Sequence, residues 1–143
     1  MRTMLSLIVS AFVFGLLAIT TPLTGVAGKP VNETAFRQLI VERSPWSVTW
    51  NNSLYDGTFK IRFAVAGDGN ITGELFDNSG GRLDGALKNI VIHDNQCFSF
   101  LSHTDTKYDY CLEENGTLTG TQKFTNNLGE TFEGTTVALP RGR

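Results

Sequence analysis

Residues 57–65 read Gly57-Thr58-Phe59-Lys60-Ile61-Arg62-Phe63-Ala64-Val65, the cleanest alternating run in the chain. Phe59, Ile61, Phe63 and Val65 alternate with Lys60, Arg62 and Ala64. Successive side chains of a strand point to opposite faces, so the run is a strand with one dry face and one charged face. Just upstream, Trp46, Val48 and Trp50 alternate with Ser47 and Thr49 in the same way. Downstream, the pattern continues between turn signals. It predicts eight strands, at 46–51, 57–66, 70–77, 82–93, 96–103, 106–113, 117–125 and 130–139. The Asp68-Gly69 and Asn115-Gly116 dipeptides tolerate positive φ and favour tight hairpins.

A weak internal repeat runs through these strands. Asp68-Gly69-Asn70-Ile71-Thr72-Gly73 matches Asn115-Gly116-Thr117-Leu118-Thr119-Gly120, and Leu83-Asp84-Gly85 matches Phe132-Glu133-Gly134. Two copies are too few for a propeller or a solenoid. Short loops between sequential neighbours imply an up-and-down order, and closure would remove exposed edges. The expected fold is therefore all-β, an antiparallel up-and-down eight-stranded β-barrel over 46–140. A β-sandwich made from the same meander is the alternative. Gly73, Gly85, Gly120 and Gly134 fall inside strands, where glycine marks sharp bends. Residues 28–45 form an N-terminal extension with a short helix. Asn32 is its N-cap, Glu33 to Arg43 its body, and Phe36, Leu39 and Ile40 its apolar stripe. Ser44-Pro45 stops it.

The first 27 residues have another purpose. Met1-Arg2-Thr3 is a positive start, Leu5 to Ile19 is an apolar run, and Thr24 to Gly28 are small or short side chains. That order describes a secretory signal peptide cleaved after Ala27. No membrane anchor is expected, and the protein is secreted or periplasmic. In an oxidising compartment Cys97 and Cys111 should be joined. Pairing them in a hairpin sets Phe98 opposite Tyr110 and Phe100 opposite Tyr108. Four aromatic rings then share one face, while the cysteines, Ser99 and Asp109 share the other.

Alternation also lists the inward face: Trp46, Val48, Trp50, Phe59, Ile61, Phe63, Val65, Ile71, Leu75, Phe98, Phe100, Tyr108, Tyr110, Leu118 and Phe124. Gln122 is its main uncharged polar group. Neither a carboxylate pair nor a histidine lies on it, so the interior lacks acid/base or nucleophile chemistry, and no enzyme is expected. A net charge of −2 with five scattered lysines implies no nucleic-acid surface. Two histidines and two cysteines leave little material for a metal site, and no cofactor is implied. His93 beside Asp94 and His103 beside Thr104-Asp105 read as exposed turn residues. Four Asn-x-Ser/Thr triplets, beginning at Asn32, Asn51, Asn70 and Asn115, fit the N-glycosylation pattern. Turns rich in Asn and Thr also produce such matches by chance.

Three short segments resemble the opening of the avidin and streptavidin family. They are Trp50-Asn51-Asn52, then Gly57-Thr58-Phe59-Lys60-Ile61, then Gly69-Asn70-Ile71-Thr72-Gly73. The resemblance spans roughly residues 46–76 and implies an eight-stranded up-and-down barrel of the calycin type. It would place polar biotin contacts on Asn52 and Thr58. At position 75, where the family has Tyr, this chain has Leu75, and the family's later tryptophans and late aspartate have no counterpart. The likeness therefore carries a fold and not biotin recognition. Lipocalin-type barrels are a comparable analogy, though their Gly-x-Trp opening is absent.

The functional expectation is a secreted barrel that holds a small apolar or aromatic molecule in its mouth. Its candidate liners are Trp50, Asn52, Thr58, Phe98 and Tyr108. The alternative is a packed, ligand-free barrel acting through its surface as a protein-binding module or enzyme inhibitor.

Overall fold

In the computed structural model, which describes residue 30 and residues 32–142, the alternation seen in the sequence becomes one helix and a curled antiparallel sheet. The elements are α1 (Glu33–Glu42), β1 (Trp46–Asn52), β2 (Asp56–Val65), β3 (Ile71–Phe76), β4 (Arg82–Ala86), β5 (Lys88–His93), β6 (Cys97–Leu101), β7 (Lys107–Leu112), β8 (Leu118–Thr125) and β9 (Thr131–Leu139). The proposed signal segment lies outside the described residues. All nine strands belong to one sheet, so it is not a sandwich of two. Its order is β4-β3-β2-β1-β9-β8-β7-β6-β5. The first strand pairs with the last, which bends the meander into a half-barrel whose two edges are β4 and β5.

Those edges correct the strand count. The single strand expected over 82–93 is two strands joined by Leu87. One pairs with β3 and the other with β6. Two residues break it: Gly85 has φ +93° and Asn89 has φ +51°, both left-handed. The inward positions consequently switch from odd, at Leu83 and Leu87, to even, at Ile90 and Ile92, which pack on the core. Gly85 also lies against the His103 side chain. An added Cβ there would stand 2.6 Å from the His103 Cβ.

Five of the hairpin turns share one construction. In 66–70, 77–81, 102–106, 113–117 and 126–130, the first residue donates to the fifth, and the fourth donates back to the first. The fourth residue has positive φ in each: Gly69, Gly80, Asp105, Gly116 and Gly129. This is the three-residue hairpin loop in which a left-handed residue closes a type I turn. The repeat in the sequence is the recurrence of this unit. A side chain within each turn caps it, as when Asn126 Oδ1 accepts from Leu128 N at 2.9 Å and Glu130 N at 3.0 Å.

The Cys97–Cys111 disulfide is formed, and the surrounding register is the one its pairing demands. Phe98 faces Tyr110 and Phe100 faces Tyr108, and the four rings stack inside the sheet with centroids 5.1 to 6.3 Å apart. Phe63 of β2 meets Phe98 edge-on at 5.5 Å across the interior. Opposite walls of the curl thus share one core.

The helix seals one end of that core. Asn32 Oδ1 accepts from Ala35 N at 2.8 Å, capping α1 as expected. Phe36 and Ile40 are fully buried, and Phe36 lies 6.0 Å from Phe98. The helix is tied down at its C-terminus. Trp46 Nε1 donates to Ile40 O at 2.9 Å, and Ser44 Oγ accepts from Phe63 N at 2.9 Å. Val65, placed inward by alternation, is instead 56% exposed. It pairs with Ile71 at the last rung of the β2–β3 ladder, at the end of the strand.

Candidate functional site

The end away from α1 carries the β1–β2 turn and the turns at 77–81, 102–106 and 126–130. Its inner face is set by register. Asn52 pairs with Gly134, Gly134 with Gln122, Gln122 with Tyr108, and Tyr108 with Phe100. One step nearer the core, Trp50, Thr136, Gly120 and Tyr110 form the neighbouring row. One step further out, Phe124 pairs with Phe132, their rings stacked at 6.4 Å. The two glycines are required by close strand approach. A Cβ on Gly134 would stand 1.7 Å from the Asn51 carbonyl oxygen, and one on Gly120 would stand 1.8 Å from that of Asp109. No side chain can therefore fill these two inner positions.

The candidate liners do not all converge. Trp50 and Tyr108 lie on this inner face. Trp50 is half-buried, its ring lying over Gly57, and Tyr108 packs edge-on to Phe59 at 5.7 Å. Phe98 belongs to the sealed end, against Phe36. Thr58 is exposed on the outer face opposite Thr49, and its hydroxyl accepts from Asn78 Nδ2. Asn52 is occupied locally, its Oδ1 accepting from Leu54 N at 2.9 Å and Tyr55 N at 2.8 Å. The two positions suggested by the avidin resemblance thus form no shared site with Trp50. β9 supplies what alternation missed: Phe132, Gly134 and Thr136. A glycine and a threonine interrupt its apolar pattern, so the strand carried little hydrophobic signal.

Burial sets the chemistry here. Tyr110 is 1% exposed and its hydroxyl lies 2.6 Å from Thr136 Oγ1. Thr136 Oγ1 also lies 3.3 Å from Thr49 O, and either hydroxyl can supply the proton between Tyr110 and Thr136. Burial holds the Tyr110 hydroxyl well above the ordinary phenolic range, and the bond to Thr136 only partly opposes this. Tyr108 is pushed up to about 12 by burial, so it keeps its proton and remains a donor at neutral pH. Gln122 is 3% exposed, and its Nε2 has no hydrogen-bond partner. A buried donor left unpaired costs about 1–3 kcal/mol.

Two surface depressions adjoin the site. A cleft of about 550 Å³ lies between residues 51–56 and residues 133–135 at the open end. A groove of about 230 Å³ crosses the outer side of β7, β8 and β9. Its charges are already matched, Lys107 with Asp109 at 3.0 Å and Lys123 with Glu133 at 2.8 Å. Among the described residues no group of three or more His, Cys, Asp or Glu side chains is placed to hold a metal ion. His93 is exposed at the end of β5, with Nε2 2.8 Å from Ser99 Oγ. No family model matches this chain, and neither a curated protein nor a solved structure matches it. What remains of the resemblance to avidin is the curled antiparallel sheet.

Proposed function

We propose that this chain is a non-enzymatic binding protein of the secreted or periplasmic space, holding a small, mostly apolar ligand at the open end of its half-barrel. The carrying observation is that Trp50, Phe124 and Phe132 remain half-buried on the inner face while Tyr108 on the same face is buried. Aromatic rings left partly in water next to a packed floor are the usual lining of a small-molecule site. The disulfide and the N-terminal signal pattern support export.

A second reading rests on a different observation. The turns of the open end expose Leu54 at 58%, Tyr55 at 67% and Leu128 at 83%. Such apolar tips suit a protein-binding module or enzyme inhibitor working through its surface. Native mass spectrometry of the non-reduced protein, exported by its own leader, separates the two. A small-molecule adduct that leaves on gentle activation, and is lost when Trp50 and Tyr108 are both replaced by Ala, supports the ligand site. A bare protein mass together with a stable protein complex from the same compartment overturns it in favour of the surface reading.

A further inference from the structure

We propose that the open-end site selects neutral, flat ligands that present a carbonyl-type oxygen, and that Gln122 Nε2 is the donor that receives it. This inference rests on the reading of the open end as a ligand site. It starts from the one buried side-chain nitrogen or oxygen among the described residues that lacks a hydrogen-bond partner. Native interiors leave few such groups unpaired, and one at a binding site points to a partner that arrives with the ligand.

The surroundings define that partner. Gln122 lies between Gly134 and Tyr108 in its row. Gly134 carries no side chain, and the Asn51 carbonyl oxygen occupies the place where its Cβ would stand. The Tyr108 hydroxyl, protonated at neutral pH, is a second donor on the same face. Both groups call for an acceptor. The inner residues at this end are Trp50, Phe59, Tyr108, Gln122, Phe124 and Phe132, none of them charged. A carboxylate would be buried with no cation beside it, and an ammonium with no anion, so the acceptor is neutral. The walls are aromatic rings, with Trp50 lying flat against the glycine of β2, which favours a flat ligand body.

The test uses a matched pair of probes that differ in the carbonyl, 2-acetylnaphthalene and 2-ethylnaphthalene. Each is titrated into the ¹⁵N-labelled, disulfide-intact protein while the Trp50 indole N–H and the Gln122 carboxamide are followed by NMR. The ketone should bind at least tenfold more tightly than the hydrocarbon and shift both signals. In Gln122→Leu the ketone should weaken until the two probes bind alike, with Gln122→Met as a second variant of similar volume. The wild-type comparison decides alone if neither variant folds. Equal binding of both probes in the wild-type protein, with Trp50 shifting, overturns the role of Gln122 and leaves the open-end site standing. If neither probe moves the Trp50 signal, the site itself falls and this inference with it.

Discussion

At the helix end, Phe36, Trp46 and Phe98 are each 1% exposed or less, whereas Trp50, Phe124 and Phe132 on the same inner face stay half-buried at the other end. Both ends carry aromatic rings on the inner face. The helix makes the difference. Phe36 and Ile40 complete the first set of contacts, and nothing equivalent covers the second among the described residues. Polar groups divide the same way. Toward the sealed end, Trp46 Nε1 has the Ile40 carbonyl, and the deeply buried Tyr110 hydroxyl has Thr136. At the open end the Gln122 amide has no partner. An antiparallel half-barrel thus makes an apolar channel by alternation alone, and the cap decides which end becomes core and which becomes site.

The largest test of this comparison is a pair of truncations. Phe98→Ala removes a ring packed on four others and should cost about 4 kcal/mol. Trp50→Ala removes a larger but half-wet ring and should cost roughly half as much, since less of it leaves water on folding. Urea unfolding with unchanged m-values measures both. Equal losses would mean that the open end is as much core as the sealed end.

High pH gives an intermediate effect. The folded Tyr108 holds its proton up to about 12, while the unfolded side chain releases it near 10.0. The folded state then binds more protons than the unfolded state, so this contribution is whole below 10.0 and is lost as pH rises toward 12. Tyr110, shifted in the same direction, adds to the decline. Tyr108→Phe should flatten the fall in unfolding midpoint across that window. An unchanged slope would show that Tyr108 is wet in solution and that the floor of the open end is not sealed.

The smallest effects have opposite signs. Tyr110→Phe deletes a satisfied buried hydroxyl and should cost about 1 kcal/mol. Gln122→Leu deletes an unsatisfied amide and should leave stability unchanged or raise it by up to about 1 kcal/mol. Thermal unfolding of the two variants side by side reads the contrast. A clear loss in Gln122→Leu would show that the amide is already paired in the folded protein.

Much of this architecture could be read before any coordinates. The bounds of β1 and β2 follow the alternation closely, because one face of each strand is dry, and those of β8 and β9 follow the turns that bracket them. The β6–β7 register was legible because Cys97 and Cys111 pin it and the four rings agree. The break at Leu87 is harder to read. Its signal is the switch of apolar residues from Leu83 and Leu87 to Ile90 and Ile92, easily mistaken for one continuous strand. The site was less legible. Thr58 and Asn52 were suggested by likeness to a short segment, and a likeness of sequence does not say which way a side chain faces or what already bonds it. Gln122 was visible as a polar residue on an apolar face, but not as a donor without a partner.

Local pattern therefore determined the elements, their turns, the disulfide and the antiparallel order, since each depends on neighbours within a hairpin. Tertiary structure alone decided that β1 pairs with β9, that α1 covers the end holding Phe98, and that the Gln122 amide nitrogen is buried without a partner. These are contacts between residues far apart in the chain. Whether a ring or an amide is finally buried, paired or left waiting depends on what the rest of the molecule brings to it.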